Sequence, residues 1–150
     1  MLLDRSVVHH IDGKMMTGDT IYYDKRIGFG EVLGRMVMSD STQHATLTGE
    51  YGQMWEDHSR GYATDSALMT DWSDTAHLAY IHADTLFTEE LNYTDSALTD
   101  STYRRVRAHH GVRVYRNDMQ MTCDSMVYLS SDSTMHLYLQ PVCWSENQQI

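Results

Sequence analysis

The phrase Thr-Asp-Ser-Ala-Leu occurs twice in this chain, at residues 64–68 and 94–98, and looser copies stand at Gly18-Asp19-Thr20-Ile21, Ala83-Asp84-Thr85-Leu86 and Cys123-Asp124-Ser125-Met126. Each joins a small residue, an aspartate, a hydroxyl and an apolar side chain. Asp, Ser and Thr bend a chain by hydrogen-bonding their own backbone, and the flanking alternation of apolar and polar residues is that of a half-buried strand. The recurrence predicts stacked strands with a corner at each copy, and gives no sign of a catalytic centre.

The rest of the text agrees with strands. One Pro and nine Gly stand against ten Tyr and three Trp in 150 residues, a balance that favours extended structure over helix or disorder. Turn signals at Asp24-Lys25-Arg26, Asp40-Ser41-Thr42, Glu56-Asp57-His58-Ser59 and Asn117-Asp118 separate apolar runs at intervals of about ten residues. Asp-Ser-Thr at residues 100–102 and 132–134 reads as two more hairpin turns, and residues 86–92 have room for a turn of helix. The most regular passage is the C-terminal third. There Val112, Val114, Met119, Met121 and Cys123 share one face, and Arg113, Tyr115, Gln120 and Thr122 the other. Pro141 has no N–H for a ladder, which puts it at an edge or a strand end.

Charge excludes some functions. A formal net charge of −10 opposes binding to nucleic acid or to an anionic membrane surface, both of which need a positive field. Five of the eleven cations nevertheless fall close together, as Arg104, Arg105, Arg107, Arg113 and Arg116. They read as the solvent side of adjacent strands or as a local phosphate contact. No segment approaches the ~20 apolar residues of a membrane-spanning helix. The start carries neither a basic leader nor an apolar stretch, so an exported form is expected to have lost its signal or to carry it upstream. Two cysteines, Cys123 and Cys143, do not make a disulfide scaffold; each sits in a strand-like run, and they read as two buried free thiols or as a single bridge.

Familiar chemical motifs fail on spacing. The histidines at His9-His10, His77, His82 and His109-His110 lack zinc-site spacing, and adjacent residues of a strand point to opposite faces. The aspartates form no calcium loop. Glu89-Glu90 and Asp71 with Asp74 have no partner motif that would make them a glycosidase pair, and no nucleophile elbow or phosphate loop is present. No enzyme activity, metal or cofactor is expected.

The ordered series Gly111-Val112-Arg113-Val114-Tyr115, then Met119 to Tyr128 with its Cys-Asp-Ser, then Leu137-Tyr138-Leu139-Gln140-Pro141-Val142, resembles the rungs of the OstA/LptA family of lipopolysaccharide transport proteins, and looks closest to the OstA-like proteins of Bacteroidetes-type bacteria. The resemblance spans residues 14–146. It departs at Gln140, where a Gly is usual before the Pro, and in residues 72–105, which fit the rung pattern poorly and look like an insertion.

The resemblance implies an all-β, twisted open β-jellyroll of stacked antiparallel strands in one domain at 14–146, with 1–13 a lead-in strand or disordered and 147–150 a tail. It implies a non-enzymatic periplasmic carrier of lipopolysaccharide or a related lipid that helps bridge inner and outer membranes. Its partners would be other domains of this kind, paired through edge strands, with head-to-tail self-assembly included. On that reading Met36, Met38, Leu47, Leu68, Val112, Val114, Met119, Met121, Leu137 and Leu139 line the groove, and Arg105, Arg107 and Arg113 contact the headgroup. The alternative is a β-repeat envelope module that assembles by its edges without lipid. The carrier reading needs the apolar faces to enclose a seam that can part.

Overall fold

The computed structural model describes residues 2–4, 9–11, 13–41, 43–94, 97, 100–130, 134–145 and 148–149. Thirteen strands run antiparallel in one sheet: β1 (Leu2–Asp4), β2 (His9–Ile11), β3 (Lys14–Thr17), β4 (Thr20–Asp24), β5 (Phe29–Asp40), β6 (Ala45–Trp55), β7 (Arg60–Asp71), β8 (Ala79–Thr94), β9 (Asp100–Arg116), β10 (Met119–Leu129), β11 (Thr134–Tyr138), β12 (Val142–Ser145) and β13 (Gln148–Gln149). A 3-10 turn at Asp57–Ser59 joins β6 to β7. The fold is the all-β open jellyroll that the sequence implies.

The sheet is creased. Register breaks lie between Leu33 and Met36, Thr48 and Tyr51, Thr64 and Ala67, His82 and Thr85, and Cys123 and Ser125. Backbone with left-handed φ marks the same line: Arg35 (46°), Asp65 (60°), Ser66 (61°) and His110 (65°). Bulges of this kind bend a strand and let it pass from one layer to the next. The copies of the repeated phrase at Asp19, Asp65, Asp84 and Asp124 sit on this crease, as a corner-forming role requires; the copy at residues 94–98 lies largely outside the described residues. Asp19 N–H donates to the Gly34 carbonyl at 2.9 Å, and Arg35 Nε to the Asp19 carboxylate at 2.9 Å, which ties β4 across the bend.

The crease divides the sheet into two half-sheets that fold onto one another. Half-sheet I runs from β1 and β4 through the first halves of β5, β7 and β9 and the second halves of β6, β8 and β10 to β11. Half-sheet II runs from β2 and β3 through the complementary halves to β12 and β13. Their facing sides make one hydrophobic core.

Two sequence expectations are corrected. Residues 86–92 are not helical but lie in β8, and Asp100–Thr102 is not a turn: Asp100, Ser101 and Thr102 pair with Thr94, Tyr93 and Asn92. Residues 72–78 form a loop, and residues 89–94 pair with residues 100–105 in a hairpin that extends past the Arg60 end of β7. The alternation fails there because Thr88 and Glu89 are both buried in succession, and Arg105 neutralises the carboxylate from the outer side.

Candidate functional site: the seam between the half-sheets

Period-two alternation and the register together lay apolar side chains in continuous rows. On half-sheet II, Met16, Met38, Leu47, Met69, Ile81, Val114, Met121 and Cys143 stand opposite one another strand by strand. On half-sheet I the matching row is Ile21, Val32, Gly52, Ala63, Leu86, Ala108, Met126 and Leu137. Half-sheet II contributes the thioethers of Met16, Met38, Met69 and Met121, and half-sheet I sets the small residues Gly52, Ala63 and Ala108 among larger ones.

Two glycines are receiving sockets, and a third stands in ordinary contact across the seam. A Cβ on Gly30 would lie 2.9 Å from Met16 Cε, one on Gly52 would lie 2.6 Å from Met36 Cε, and one on Gly61 would lie 3.5 Å from Leu47 Cδ2. At these points the halves interlock. At one end they separate, and Met38, Leu47, Met54 and Met69 floor a cleft with a cavity of about 60 Å³. That is the volume of about two water molecules. The opening is confined to that end, and the contacts at Gly30 and Gly52 keep it from running the whole length of the seam.

The mouth of the cleft is polar. Lys14, Ser59, Arg60, Arg104 and Asp40 surround it. Two contacts cross the seam here: Lys14 Nζ donates to Ser59 Oγ, and Arg104 Nη2 reaches Asp40 Oδ2 at 3.5 Å. Burial pushes the Arg104 guanidinium below its ordinary value, and the charges of Asp40, Glu90 and Asp71 oppose that shift. Its Nε is buried and has no hydrogen-bond partner among the described residues.

Eight of the ten expected lining residues belong to the interior. Met36, Met38, Leu47, Val112, Val114 and Met121 are buried in the core, and Met119 and Leu137 pack against it. Leu68 and Leu139 are corrections. Gly61, Ala63, Ala67 and Met69 keep one inward parity through the bulge at Asp65 and Ser66, so Leu68 faces outward. Leu139 is 69% exposed, because left-handed backbone at Leu139 (62°) and Gln140 (53°) turns the chain out of the sheet. Met54 and Met69 were missed, although Gly52-x-Met54 and Ala67-x-Met69 carry the period.

The three headgroup arginines all lie on the outer face, away from the seam. Arg105 Nε donates to Glu89 at 2.7 Å, the Arg107 guanidinium lies 4.5 Å from the Phe87 ring centroid, and Arg113 is exposed. Arg104, one position earlier, shares the inward parity of Val106 and Ala108 and reaches the mouth. The cysteines are unbridged, with Cys123 buried and Cys143 half-buried. Among the described residues, no three His, Cys, Asp or Glu side chains converge as a metal site would need.

No family model matches the sequence, and no curated protein matches it. Among solved structures the chain is similar to LptH of Pseudomonas aeruginosa, the LptA-homologous periplasmic component of its lipopolysaccharide transport device. The TM-score is 0.65 with 12% identity, covering 84% of this chain and 82% of that one. At that identity the likeness is one of fold.

Proposed function

We propose that this protein is a non-enzymatic carrier in the periplasm, of the OstA-like kind, that shelters the acyl chains of lipopolysaccharide or a related lipid between its half-sheets. The observation that carries the reading is the methionine-rich row facing a seam already open at one end, in a fold shared with a transport component. Thioether side chains rotate about three bonds and repack around guests of variable shape. Loading therefore consists of Met38, Met54 and Met69 swinging aside as the halves part. Apolar burial favours the guest by about 25 cal/mol per Å².

Edge strands provide the route to partners. β1 and β2 bound the two half-sheets on one side, and β11 and β13 on the other. Another domain of this fold, or a second copy placed head to tail, would extend either half-sheet by backbone pairing.

The glycine sockets favour a second reading, in which the core stays closed and the protein is an edge-assembled envelope module. Mass spectrometry of the purified protein for co-extracted lipid separates the two, together with a photo-crosslinker at Met38 and a control crosslinker at Leu68. Acylated lipid recovered, with adducts at Met38 and none at Leu68, supports the carrier. A folded, lipid-free protein with no adduct at either position overturns it.

A further inference from the structure

We propose that the mouth of the seam is a gate opened by an anionic headgroup, which takes Arg104 away from Asp40 and so releases one half-sheet from the other. This inference rests on the carrier reading. It adds which lipids enter and what admits them.

Three cations gather at the mouth of the cleft in a strongly acidic chain. Among the described residues that line it, Lys14, Arg60 and Arg104 are cations and Asp40 is the carboxylate. Glu90 and Asp71 act on Arg104 as charges but do not line the cleft. Arg60 is already occupied by Asp57, with Nη2 3.6 Å from its carboxylate. Arg104 is held less well. Its side chain is 12% exposed and that of Asp40 13%, yet their nearest approach is 3.5 Å, longer than a well-formed charge-assisted bond. A guanidinium presents five donors in a fork that fits the oxygens of a phosphate or carboxylate. An oxyanion arriving at the head of an acyl chain offers Arg104 what Asp40 supplies incompletely, including an acceptor for the buried Nε.

Position turns this exchange into a gate. Asp40 ends β5 in half-sheet II, and Arg104 lies near the start of β9 in half-sheet I. Their pair and the Lys14–Ser59 bond cross the seam directly over the floor formed by Met38, Leu47, Met54 and Met69. Drawing Arg104 onto a headgroup removes one crossing at the place where the tail must enter.

Two measurements test the proposal. In the full chain with Cys123→Ala and Cys143→Ala, the thiol of Met69→Cys reports water access to the cleft floor through its labelling rate with an aqueous maleimide. Asp40→Asn is expected to raise that rate about tenfold, the effect of losing one charged hydrogen-bonding partner. An unchanged rate overturns the gate. The second measurement compares equilibrium binding of dodecyl phosphate and dodecyl maltoside, both below their micelle concentrations. Wild type is expected to prefer the phosphate about tenfold, Arg104→Gln to lose the preference, and Arg104→Lys to keep part of it; circular dichroism confirms folding of each variant. Equal binding of the two amphiphiles to wild type, or a preference that survives Arg104→Gln, overturns the headgroup role and leaves the carrier reading standing. Binding of neither amphiphile, to wild type or to Asp40→Asn, overturns both.

Discussion

Met36 and Gly52 meet across the seam so closely that a single methyl group on the glycine would lie 2.6 Å from Met36 Cε and 2.9 Å from the Tyr62 carbonyl oxygen. The thioether can yield; the backbone oxygen cannot. Gly52→Ala is expected to destabilise the fold by about 1–3 kcal/mol through overpacking, and Met36→Ala by about 2–5 kcal/mol through the cavity it leaves. In urea unfolding the double variant should be less destabilised than the two losses added together, because each change relieves the other. Strict additivity would show that the two side chains do not share a socket.

Neighbouring residues on β7 test which face is inside. Met69 is buried in the row that floors the cleft, whereas Leu68 points outward. Met69→Asp places a carboxylate in apolar surroundings and is expected to abolish cooperative thermal unfolding. Leu68→Asp should keep the cooperative transition. The reverse order of damage would reject the assigned register.

The two thiols differ in reach. Cys123 is 8% exposed and burial pushes its thiol above the usual range, so it holds little thiolate near neutral pH. A maleimide at pH 7.5 is expected to label Cys143 first and Cys123 only after denaturant is added, as peptide mass spectrometry would read. Equal native rates would contradict the packing of β10.

Glu89 is 8% exposed and receives Arg105 from the neighbouring strand. Arg105→Met leaves that carboxylate without its partner and is expected to cost about 1–3 kcal/mol, less than a fully buried pair because the arginine is partly in water. Adding Glu89→Gln should restore part of the loss. Chemical denaturation of the two variants reads the coupling, and no recovery would mean that Arg105 acts through packing alone.

Tyr23 gives a signature at high pH. Burial, followed by the hydrogen bond and charge of Glu56, pushes its phenol up from 10.0 to about 12. Since the folded value lies above the unfolded one, the associated stability is complete below pH 10 and is lost as pH rises from 10 to 12. Burial raises Tyr51 as well, so phenolate absorbance is expected to show a late-titrating component from both tyrosines, and Tyr23→Phe to remove its own share. A wild-type curve that the substitution leaves unchanged at high pH would rule out the Tyr23–Glu56 contact.

Residues near the errors show where reading the sequence stops. The alternation around Val112, Val114, Met119 and Met121 was legible because no bulge interrupts it between Val112 and Cys123. Leu68 was misplaced although Gly61, Ala63, Ala67 and Met69 keep one parity past the left-handed pair Asp65 and Ser66, because the repeated phrase marks a corner and not the face that its last apolar residue takes.

Sequence alone determined the all-β class, the places where strands bend, and most of the apolar inward face, since all three depend on residues within a few positions of one another. Only the folded chain decided which arginine reaches the seam, which glycine receives which methionine, and how far the two halves close. Those outcomes depend on register between residues well apart in the chain, from Met16 and Gly30 to Asp40 and Arg104, and a local pattern holds no information about what will stand on the opposite layer.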